Sequence, residues 1–542
     1  MNVIIGNAWP YANGPLHLGR IAVLMPGDVL ARYHRLMGDD VVFISGSDSH
    51  GTPVDMKAKE EGISPLEVAE KYHEEFCRCF NKLGFSFDLF TKTHTEYHSR
   101  KVQEFILDLY EKGYIYEKEV EQTFCEKCNE YLLDKYIEGK CPHCGEIASG
   151  DQCTECSEIF ETEDLKDKRC KICGSEPVVK KTKHLFFALS KFENDVRRIY
   201  IKQKGWRENA EVITKRYLDE GLRDRAVTRD FNWGIDVPLV GYEDKKIYVW
   251  IEAVMGYLTA SMMCIEKRNE NYMDYWNGED SRIYFVHGKD NIPFHTIIFP
   301  SLLAGLGIKN PCIREISSEY LKLEGKKFST TKNWAIWIDY LTDNYNTDLI
   351  RYYLILNGPE KRDSDFVWKD FISTNNNDLV GLYGNFVNRT LTFLQNNFNG
   401  KVPEGKMPQK LKDELFNVYF DVGDRIEEGR FKDGLQQIIN VVKKANKFFD
   451  EEKPWERLAD DKKKCAETIY ICIQIIANLS NLFEPFMPYS SKKIREYLNI
   501  DEAAWSYVEK KTGNINKVDV LFEKIDKKNI TKEVLRLKNK VI

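Results

Sequence analysis

The stretch NVIIGNAWPYANGPLHLGR, residues 2–20, decides the fold of this 542-residue chain. Its apolar run at residues 3–5 predicts a buried parallel strand, and the Gly-, Pro- and Asn-rich run that follows predicts a loop. Residues 17–20 then open a helical pattern. A strand, a loop and a helix N-terminus form an anion site, because free backbone N–H groups and the helix dipole face one point. Alone, the stretch is compatible with either a nucleotide phosphate site or an ordinary turn bearing a solvated basic residue.

The patterns around this stretch predict an α/β catalytic domain. A second buried strand is predicted at residues 41–44, and helices at 16–37, with Pro26 inside, at 64–83 and at 95–112. Apolar runs at 247–250 and 283–286 predict that strands resume after an insertion. The resulting fold class is a Rossmann-like, doubly wound parallel sheet, with ligands beyond the carboxyl ends of its strands. From about residue 373 onward, apolar residues recur at helical spacing and predict an all-α bundle.

Composition restricts the class of protein. Hydrophobic residues make up 42% and charged residues 30% of the chain, as in globular proteins. The net charge of −6 argues against bulk electrostatic coating of nucleic acid, so any RNA contact must be local. No basic region precedes the first apolar run, and the apolar stretch 469–477 is too short to cross a bilayer. We therefore expect a cytoplasmic protein with no membrane partner and three or four domains.

Eight of the fourteen cysteines form four CxxC pairs, which predict two structural zinc ions with four thiolates each. The pairs are Cys125/Cys128, Cys141/Cys144, Cys153/Cys156 and Cys170/Cys173. The gaps between successive pairs are 12, 8 and 13 residues, nearly symmetric about the middle. This spacing favours a nested arrangement, with the middle two pairs holding an inner zinc and the first and last pairs an outer one. Sequential pairing remains the alternative.

Together with GKKFSTTK at residues 325–332, the opening stretch resembles the HIGH and KMSKS signatures of class I aminoacyl-tRNA synthetases. AWPYANGPLHLGR is similar to the ALPYANG segment of the methionyl-tRNA synthetases in that class. Two signature positions differ in this chain: Arg20 stands for the second His, and Thr330 for the second Lys. Arg20 can still donate to phosphate oxygens, and Lys332 can supply the missing charge from nearby.

The resemblance implies an ATP site and a set of catalytic residues. The residues expected at ATP are His17, Gly19, Arg20, Gly288, Asp290, Lys327, Ser329 and Thr330. Mg²⁺ is expected with the nucleotide. The residues expected to stabilise the charge that develops at the phosphates, or to support substrate geometry, are His17, Arg20, Lys327, Lys332 and Arg229. Arg229 lies in GLRDRAVTRDFNWGIDVP, a segment that closely resembles one in the family.

The resemblance also implies a pocket for methionine. The segments SGSDSHG, YVWIEAVMGY and HGKDNIPFH match family elements, although Glu252 stands for the usual Asp and Val254 for the usual Pro. Asp48 is expected to pair with the α-amino group. An aromatic-walled pocket suits a thioether, because sulfur gains roughly 0.3–1.5 kcal/mol at an aromatic edge. The residues expected at methionine are Trp9, Tyr11, Asp48, Trp250, Ala253, Val254, Tyr257 and His295.

The remaining segments imply contacts with tRNA. The cysteine segment resembles the two-metal version of the family's connective insertion, which lies near the acceptor end of tRNA. Asn385, Arg389 and Trp455 match the family's anticodon-binding residues. The implied division is 1–115 and 226–320 for the two catalytic halves, 116–225 for the insertion, 321–372 for the loop and stem-contact region, and 373–542 for the anticodon domain. The partners implied are ATP, L-methionine and tRNA(Met), including the initiator, and a monomer is expected.

Two alternative functions are weighed against a methionine–tRNA ligase. A class I synthetase for leucine, isoleucine or valine fits less well, because the chain has no large editing insertion. A non-charging paralogue that binds tRNA or an aminoacyl adenylate is favoured by the altered Arg20 and Thr330. The presence of Asp48, Arg229 and Trp455 argues against this alternative, because a paralogue that only binds its ligand has little need of all three.

Overall fold

The structure is a computed structural model that describes residues 1–132, 136–149, 164–230, 232–309, 311–330 and 332–539. Its N-terminal part alternates strands and helices: β1 (Asn2–Asn7), α1 (Leu18–Leu36), β2 (Asp40–Ser47), α2 (Thr52–Glu61), α3 (Pro65–Leu83), β3 (Leu89–Lys92) and α4 (Glu96–Glu111). The predicted helices at 64–83 and 95–112 are therefore confirmed. Ser64 begins α3 with a capping box, in which its side chain and that of Glu67 each bond the other's backbone N–H.

An antiparallel region follows, built on two long strands. Its elements are β4 (Ile115–Cys125), β5 (Glu130–Tyr131), β6 (Ile137–Lys140), β7 (Ile147–Ser149), β8 (Lys166–Cys170), β9 (Val178–Phe187), a 3₁₀ turn (Leu189–Phe192), α5 (Glu193–Lys202), α6 (Glu208–Glu220), β10 (Arg225–Ala226), β11 (Thr228–Arg229) and β12 (Lys246–Ile247). Strands β4 and β9 pair along ten residues each, and a separate small sheet has the order β7-β6-β8. The CxxC turns of Cys125/Cys128 and Cys170/Cys173 lie at the ends of β4 and β8.

The second half of the parallel domain contains one element that the sequence prediction assigned wrongly. Its elements are α7 (Val249–Glu266), α8 (Tyr272–Trp276), β13 (Ser281–Gly288), a 3₁₀ turn (Lys289–Asn291), a π-helical segment (Phe294–Ile298), α9 (Phe299–Gly305) and β14 (Ile313–Ser318). The strand predicted at 247–250 is only the end of β12 followed by the start of α7. Because α7 is apolar on nearly all sides, its first residues do not differ in pattern from a buried strand.

The parallel sheet has the strand order β14-β13-β1-β2-β3, and all four pairings are parallel. The order reverses between β1 and β13, because the chain runs outward from β1 through β2 and β3 and returns to β13. In such doubly wound sheets the crevice at this switch point, beyond the carboxyl ends of the strands, is where ligands bind. The predicted Rossmann-like fold is confirmed.

After β14 the chain becomes mainly helical, and its described part from about residue 373 onward forms the predicted helical bundle. The elements are β15 (Leu321–Leu323), β16 (Lys326–Lys327), α10 (Ile338–Asn344), α11 (Thr347–Leu356), β17 (Ser364–Phe366), α12 (Trp368–Thr374), a π-helical segment (Asn375–Gly384), α13 (Asn385–Phe398), α14 (Gln409–Glu427), α15 (Phe431–Glu452), α16 (Pro454–Asp460), α17 (Lys462–Leu482), α18 (Pro488–Leu498) and α19 (Lys528–Lys538). Residues 499–527 form no helix, although Leu521 and Phe522 within them are buried.

One hydrophobic core joins the α1 face of the parallel sheet to the helical bundle, and a second core covers the other face. A buried ion pair crosses the first core: the Nη2 atom of Arg351 on α11 lies 2.6 Å from the Oδ2 atom of Asp28 on α1. The Nε atom of Arg32 donates to the same oxygen at 2.8 Å. The two cations hold the pKa of Asp28 well below its usual range despite its burial. Helix α1 is thus fixed to the bundle by charge as well as by apolar contact.

Two helices of the described chain, α7 and α17, are long and apolar enough to cross a bilayer by length and composition. Within the protein, 78% and 89% of their most apolar windows are buried. Each packs against other elements of the two cores, so their apolar character reflects a position in the interior.

Candidate active site

A cleft of about 580 Å³ opens beyond the carboxyl ends of β1 and β13, at the switch point of the sheet. Of the predicted site residues, fourteen line it, and thirteen of these come from outside the lysine-rich loop: Trp9, Tyr11, His17, Gly19, Arg20, Asp48, Trp250, Ala253, Val254, Tyr257, Gly288, Asp290 and His295. Lys327 joins them from the lysine-rich loop. An aromatic pocket and a cationic rim therefore share one cavity, of a size typical for small-molecule sites.

Asp48 presents an unpaired carboxylate oxygen to this cleft. Its backbone is held against the β1 loop, because its N–H donates to the Pro10 carbonyl at 2.9 Å and its carbonyl accepts from the Ala12 N–H at 2.8 Å. The buried Oδ1 atom has no hydrogen-bond partner among the described residues. Burial raises the pKa of Asp48, and the charge of Glu252 raises it further. A ligand ammonium group would satisfy this oxygen and favour the ionised form.

The wall beside Asp48 is aromatic. Trp250 stacks on Phe294 with ring centroids 4.2 Å apart and meets the ring of Tyr11 edge-on at 6.0 Å. The hydroxyl of Tyr257 lies 2.9 Å from Nε2 of His295. Burial lowers the pKa of His295 to about 3, so the imidazole is neutral at physiological pH. The pocket thus offers ring faces and edges with little charge, which suits an apolar or thioether side chain.

Trp9 forms the back of the pocket, and two glycines make room for it. A Cβ atom at Gly46 would lie 2.4 Å from the Trp9 ring, and one at Gly256 would lie 2.8 Å from it. The Trp9 ring also meets Tyr257 edge-on at 6.3 Å. The Nε1 atom of Trp9 is buried without a partner among the described residues. Small residues on β2 and α7 are therefore required for this indole to reach the cleft.

Glu252, which replaces the family's usual Asp, faces away from the cleft into a buried cluster. Its two carboxylate oxygens each lie 2.9 Å from a histidine nitrogen, one of His50 and one of His98. These contacts lower the pKa of Glu252 against the effect of burial. Glu252 thus serves to anchor α7 to the segments after β2 and β3.

His17 and Arg20 meet at the start of α1. His17 occupies the N-cap position, with its Nδ1 atom buried and unpartnered among the described residues. Burial and, to a lesser extent, the nearby charge of Arg20 lower the pKa of His17 to about 3. The Nη1 atom of Arg20 donates to the Tyr11 carbonyl at 3.3 Å. This turn therefore holds a neutral imidazole and a guanidinium together at a helix N-terminus, an arrangement that favours an oxyanion.

The lysine-rich loop lies directly over this turn. Glu324 and Gly325 both have positive φ angles, of 47° and 78°, which form the tight turn between β15 and β16. Beyond it, the ring of Phe328 stacks on His17 with centroids 5.0 Å apart. Lys327 and Phe328 line the cleft, whereas the predicted Ser329, Thr330 and Lys332 are not among its described lining residues. The N–H of Lys332 donates to the Ser329 hydroxyl at 3.3 Å.

The opposite rim of the cleft carries an acid–base cluster after β13. The ammonium group of Lys289 lies 2.6 Å from Glu319 and 4.1 Å from the centre of the Tyr320 ring. The Tyr320 hydroxyl in turn donates to the carboxylate of Asp290. Gly288 and Asp290 therefore lie next to groups that can bond hydroxyls.

Arg229 is a predicted catalytic residue that, like Lys332, is not among the described residues lining the cleft. Its guanidinium lies 4.3 Å from the centre of the Tyr248 ring and donates to the Thr228 carbonyl at 3.0 Å. It lines a neighbouring hollow with Arg225 and His184, and it is not among the described residues that line the cleft. Its catalytic role stays a prediction.

The residues predicted to read an anticodon form one surface on the helical bundle. Asn385 begins α13 and is exposed, with Arg389 one turn later. The Arg389 guanidinium lies 4.1 Å from the Phe449 ring centre and 6.0 Å from that of Trp455. Trp455 is 48% exposed, so one ring face remains available for stacking. Arg389 also pairs with Asp450.

Four of the predicted zinc ligands form a cluster suited to a tetrahedral metal. The sulfur atoms of Cys125, Cys128, Cys170 and Cys173 all lie within 4.8 Å of one another. Ideal Zn–S bonds of about 2.3 Å would place them about 3.8 Å apart. This set is the outer site of the nested arrangement. Cys141 and Cys144 lie on a separate turn, and their predicted partners Cys153 and Cys156 lie outside the described residues.

Several cleft residues escaped the sequence analysis. Phe294 and Phe328 lie within the matched motifs, but in the sequence neither differs from an ordinary core aromatic. Glu319 and Tyr320 follow β14 and had no pattern to mark them. Position after a parallel strand was the available signal, because the ends of β1, β13 and β14 meet at one edge.

Two family profiles match the chain. One, described as "tRNA synthetases class I (M)", matches residues 3–391, and one described as "Anticodon binding domain of methionyl tRNA ligase" matches residues 401–538. The methionine--tRNA ligase of Bacillus mycoides (strain KBAB4) is 50% identical over 540 residues, which cover 99% of both chains. Methionine--tRNA ligase 1 of Alkaliphilus oremlandii (strain OhILAs) is 49% identical over 539 residues, covering 99% of this chain and 100% of that one.

Solved structures share the fold. The methionyl-tRNA synthetase of Mycobacterium tuberculosis bound by methionyl-adenylate superposes with a TM-score of 0.79 at 20% identity, covering 96% of this chain and 100% of that one. A second structure of that synthetase, also in complex with methionyl-adenylate, gives a TM-score of 0.80 at 22% identity with the same coverage.

Proposed function

The chain belongs to the methionyl-tRNA synthetases of class I, and from this premise we propose that its cleft activates L-methionine with ATP and passes the methionyl group to tRNA(Met). The observation that carries the site assignment is that one cavity joins Asp48 and the Trp250–Tyr257 aromatic wall to His17 and Lys327. An amino acid and a triphosphate bound there would have their reacting groups side by side.

Methionine binding rests on charge and on shape. The unpaired, buried oxygen of Asp48 receives the α-ammonium group, and the side chain enters between Trp250, Val254 and Tyr257, with Trp9 at the back. Ala253, Tyr11 and His295 complete the pocket. A hydrophobic pocket discriminates between side chains that differ by one methylene by only about 1–3 kcal/mol. Selection of methionine therefore depends on close contact between the pocket wall and the thioether.

In the first step, a carboxylate oxygen of methionine attacks the α-phosphorus of ATP, and the bond to pyrophosphate breaks. The transition state gathers negative charge, which fixed donors stabilise without rearrangement. His17 donates as a neutral imidazole from the N-cap of α1, Arg20 contributes a permanent positive charge, and Lys327 reaches the leaving group. Lys332 and Arg229 support the phosphates and the substrate from outside the cleft lining.

The nucleotide extends along both rims. We assign its ribose to Gly288 and Asp290, and its phosphates to Gly19 and to Ser329 and Thr330 of the loop. Mg²⁺ accompanies ATP and supplies charge neutralisation when bound, since magnesium is held largely by phosphates and water. In the second step the 2′-hydroxyl of the terminal ribose attacks the methionyl carbonyl, and AMP leaves.

Zinc holds the insertion together. Cys125, Cys128, Cys170 and Cys173 provide four thiolates with no open position, so the metal they would bind is structural. A second zinc on Cys141, Cys144, Cys153 and Cys156 completes the nested pair. The insertion then lies beside the path of the tRNA acceptor end.

The helical bundle supplies tRNA selection. An unpaired anticodon base stacks on the open face of Trp455, while Asn385 and Arg389 bond base edges or backbone. Because the initiator and elongator tRNAs share the methionine anticodon, the enzyme serves both. One chain carries both the reaction site and the anticodon surface, so neither requires a second copy, and we propose that the enzyme is a monomer of the cytoplasm.

Methionine-dependent exchange between ATP and labelled pyrophosphate tests this function. The purified protein is expected to catalyse exchange with methionine and then to charge both initiator and elongator tRNA. Absence of exchange with every amino acid would contradict the enzyme assignment and favour a binding paralogue. Exchange without charging would restrict the activity to adenylate formation.

A further inference from the structure

A buried carboxyl group lies directly behind the proposed methionine pocket, and it belongs to none of the segments that match family motifs. Glu315 on β14 and His287 on β13 are both 0% exposed, and neither lines the cleft. The Oε2 atom of Glu315 lies 2.7 Å from Nε2 of His287. The His287 ring stacks on the ring of His295, which does line the pocket, with centroids 4.1 Å apart and planes 10° from parallel.

Hydrogen bonds fix the position of one proton on each imidazole. Nδ1 of His287 lies 2.9 Å from the Gly288 carbonyl, and Nδ1 of His295 lies 2.9 Å from the Asn291 carbonyl. A carbonyl can only accept, so both Nδ1 atoms carry hydrogen. If the rings are neutral, both Nε2 atoms are acceptors. Tyr257 must then donate its hydroxyl hydrogen to His295, and Glu315 must donate a carboxyl hydrogen to His287.

The surroundings of Glu315 favour the uncharged acid. Its other oxygen, Oε1, is buried with no hydrogen-bond partner among the described residues, whereas a buried carboxylate needs several donors. Burial raises the pKa of Glu315 to about 8 and lowers that of His287 to about 4. The proton between them therefore belongs to the carboxyl group at neutral pH.

The charged and titratable groups facing Glu315 and its histidine come from four elements, counting that histidine itself. They are His287 on β13, His295 on the π-helical segment, Tyr257 on α7 and Arg207 at the start of α6. Only Arg207 is permanently charged, and its charge further lowers the pKa of His287, which works against a charged imidazole. Of this set, His295 lowers the pKa of Glu315, but burial outweighs that effect and the net shift is upward.

We propose that Glu315 is a positioning residue that acts as a protonated hydrogen-bond donor, holding His287 in one tautomer and so fixing His295, Tyr257 and the Gly288 carbonyl. The inference rests on the proposed function, because those three residues belong to the methionine and ATP sites assigned above. If Glu315 loses its proton, His287 must release Gly288 to offer an Nε2 hydrogen, or take up a second proton. Either change disturbs the stacked His295 and the pocket wall.

Two substitutions at position 315 distinguish the hydrogen-bond donor role of the side chain from the effects of its size and its charge. Glu315→Gln keeps an N–H donor for His287 and cannot ionise, whereas Glu315→Leu removes the donor. We expect Glu315→Leu to raise the methionine KM about tenfold, because the buried acceptor on His287 is left without a donor. The ATP KM should rise by a smaller factor, and kcat should be nearly unchanged. Glu315→Gln should stay within about twofold of the wild type.

The pH profile is the second measurement. Between pH 7 and 9 the methionine KM should rise more steeply in the wild type than in Glu315→Gln. Loss of the substrate's own ammonium proton affects both enzymes equally and cancels in the ratio of their KM values. Glu404→Gln, at an exposed glutamate far along the chain, serves as the control and should follow the wild type.

The outcomes are distinct. A KM ratio that is constant with pH, a Glu315→Gln variant as impaired as Glu315→Leu, or a Glu315→Leu variant with unchanged KM would each overturn the proposal. If Glu315→Leu does not fold, the wild-type and Glu315→Gln pH profiles still decide it. A wild type without exchange activity at any methionine concentration would instead refute the proposed function.

Discussion

The phenyl ring of Phe328 stacks on the imidazole of His17, with centroids 5.0 Å apart and planes at 18°. One ring belongs to the lysine-rich loop and the other to the first turn of α1, so the two signature segments meet through an aromatic pair. A Cβ atom at Gly19 would lie 3.2 Å from the Phe328 ring, so this contact also needs a small residue there. The stack holds the loop against the start of α1, the turn that we propose binds phosphate.

Substituting Phe328 tests this stack. An aromatic pair is worth about 0.5–1.5 kcal/mol, so Phe328→Ala should lower kcat for pyrophosphate exchange roughly two- to tenfold. The methionine KM should change little, because the ring lies on the ATP side. Phe328→Met, which restores the family's usual residue, is the matched control and should retain most activity. An alanine variant with wild-type kcat would show that the stack has no part in catalysis.

Arg20 is predicted to be a working phosphate ligand. Arg20→His restores the family signature but removes a permanent charge, and the loss of one charge-assisted contact should reduce exchange by roughly tenfold or more. Arg20→Lys keeps the charge and should lie between the two. Steady-state exchange at varied ATP measures the effect. A large gain in Arg20→His would mean that the arginine obstructs the nucleotide.

Asp48 is predicted to bind the substrate ammonium group. Removing the charge in Asp48→Asn should raise the methionine KM by roughly a hundredfold, as expected for truncating one partner of a buried charge pair. Asp55→Asn, at an acid on α2 that pairs with Lys59 at 2.9 Å, is the control and should leave the KM unchanged. Equal KM values for Asp48→Asn and wild type would refute the assignment.

The same residue predicts a pH dependence. Burial raises the pKa of Asp48, so its protonated fraction grows at a higher pH than for an ordinary aspartate. The neutral acid cannot pair with ammonium, and the wild-type methionine KM should therefore rise as pH falls toward that raised pKa. The Asp48→Asn variant should lack this rise.

Metal content distinguishes the two ways of pairing the cysteines. Nested pairing puts Cys125 and Cys170 in one site, so the double variant Cys125→Ala/Cys170→Ala should lose one zinc per chain. Cys125→Ala/Cys141→Ala should lose two. Sequential pairing reverses these results, and elemental analysis of purified protein measures them. Cys312→Ser, at an exposed cysteine outside the insertion, should keep both ions.

Local pattern was sufficient for the catalytic framework. The apolar runs that became β1 and β2 are short, are flanked by turn residues and lie next to helical periodicity, so strand and helix could be told apart. The start of α7 was assigned wrongly, because an apolar run of four residues at a helix buried on all sides carries no periodicity. The motifs of the site were identified by their resemblance to a family. Such a resemblance indicates which residues have a function, but it does not show which residues they contact.

Long-range pairings left no trace in the sequence. Glu315 and His287 lie on neighbouring strands 28 residues apart, and either would pass for an ordinary polar residue. Arg229 shows the converse, since a matched motif did not reveal that its guanidinium rests on Tyr248 beside the cleft. Such contacts depend on how elements pack, and local pattern does not encode packing.

Because Asp28 pairs with Arg351, α1 connects the parallel sheet mechanically to the helical bundle. Helix α1 begins at the turn that we propose binds phosphate and reaches Asp28 about 15 Å later, at 1.5 Å per residue. The guanidinium of Arg351 also donates to the backbone carbonyls of Leu83, Pro485 and Phe486. It therefore fixes α1 both to the end of α3 and to the helical bundle. If the helical bundle shifts relative to the parallel sheet, α1 must move with it or this buried ion pair must break, and α1 begins at the turn that we propose aligns ATP.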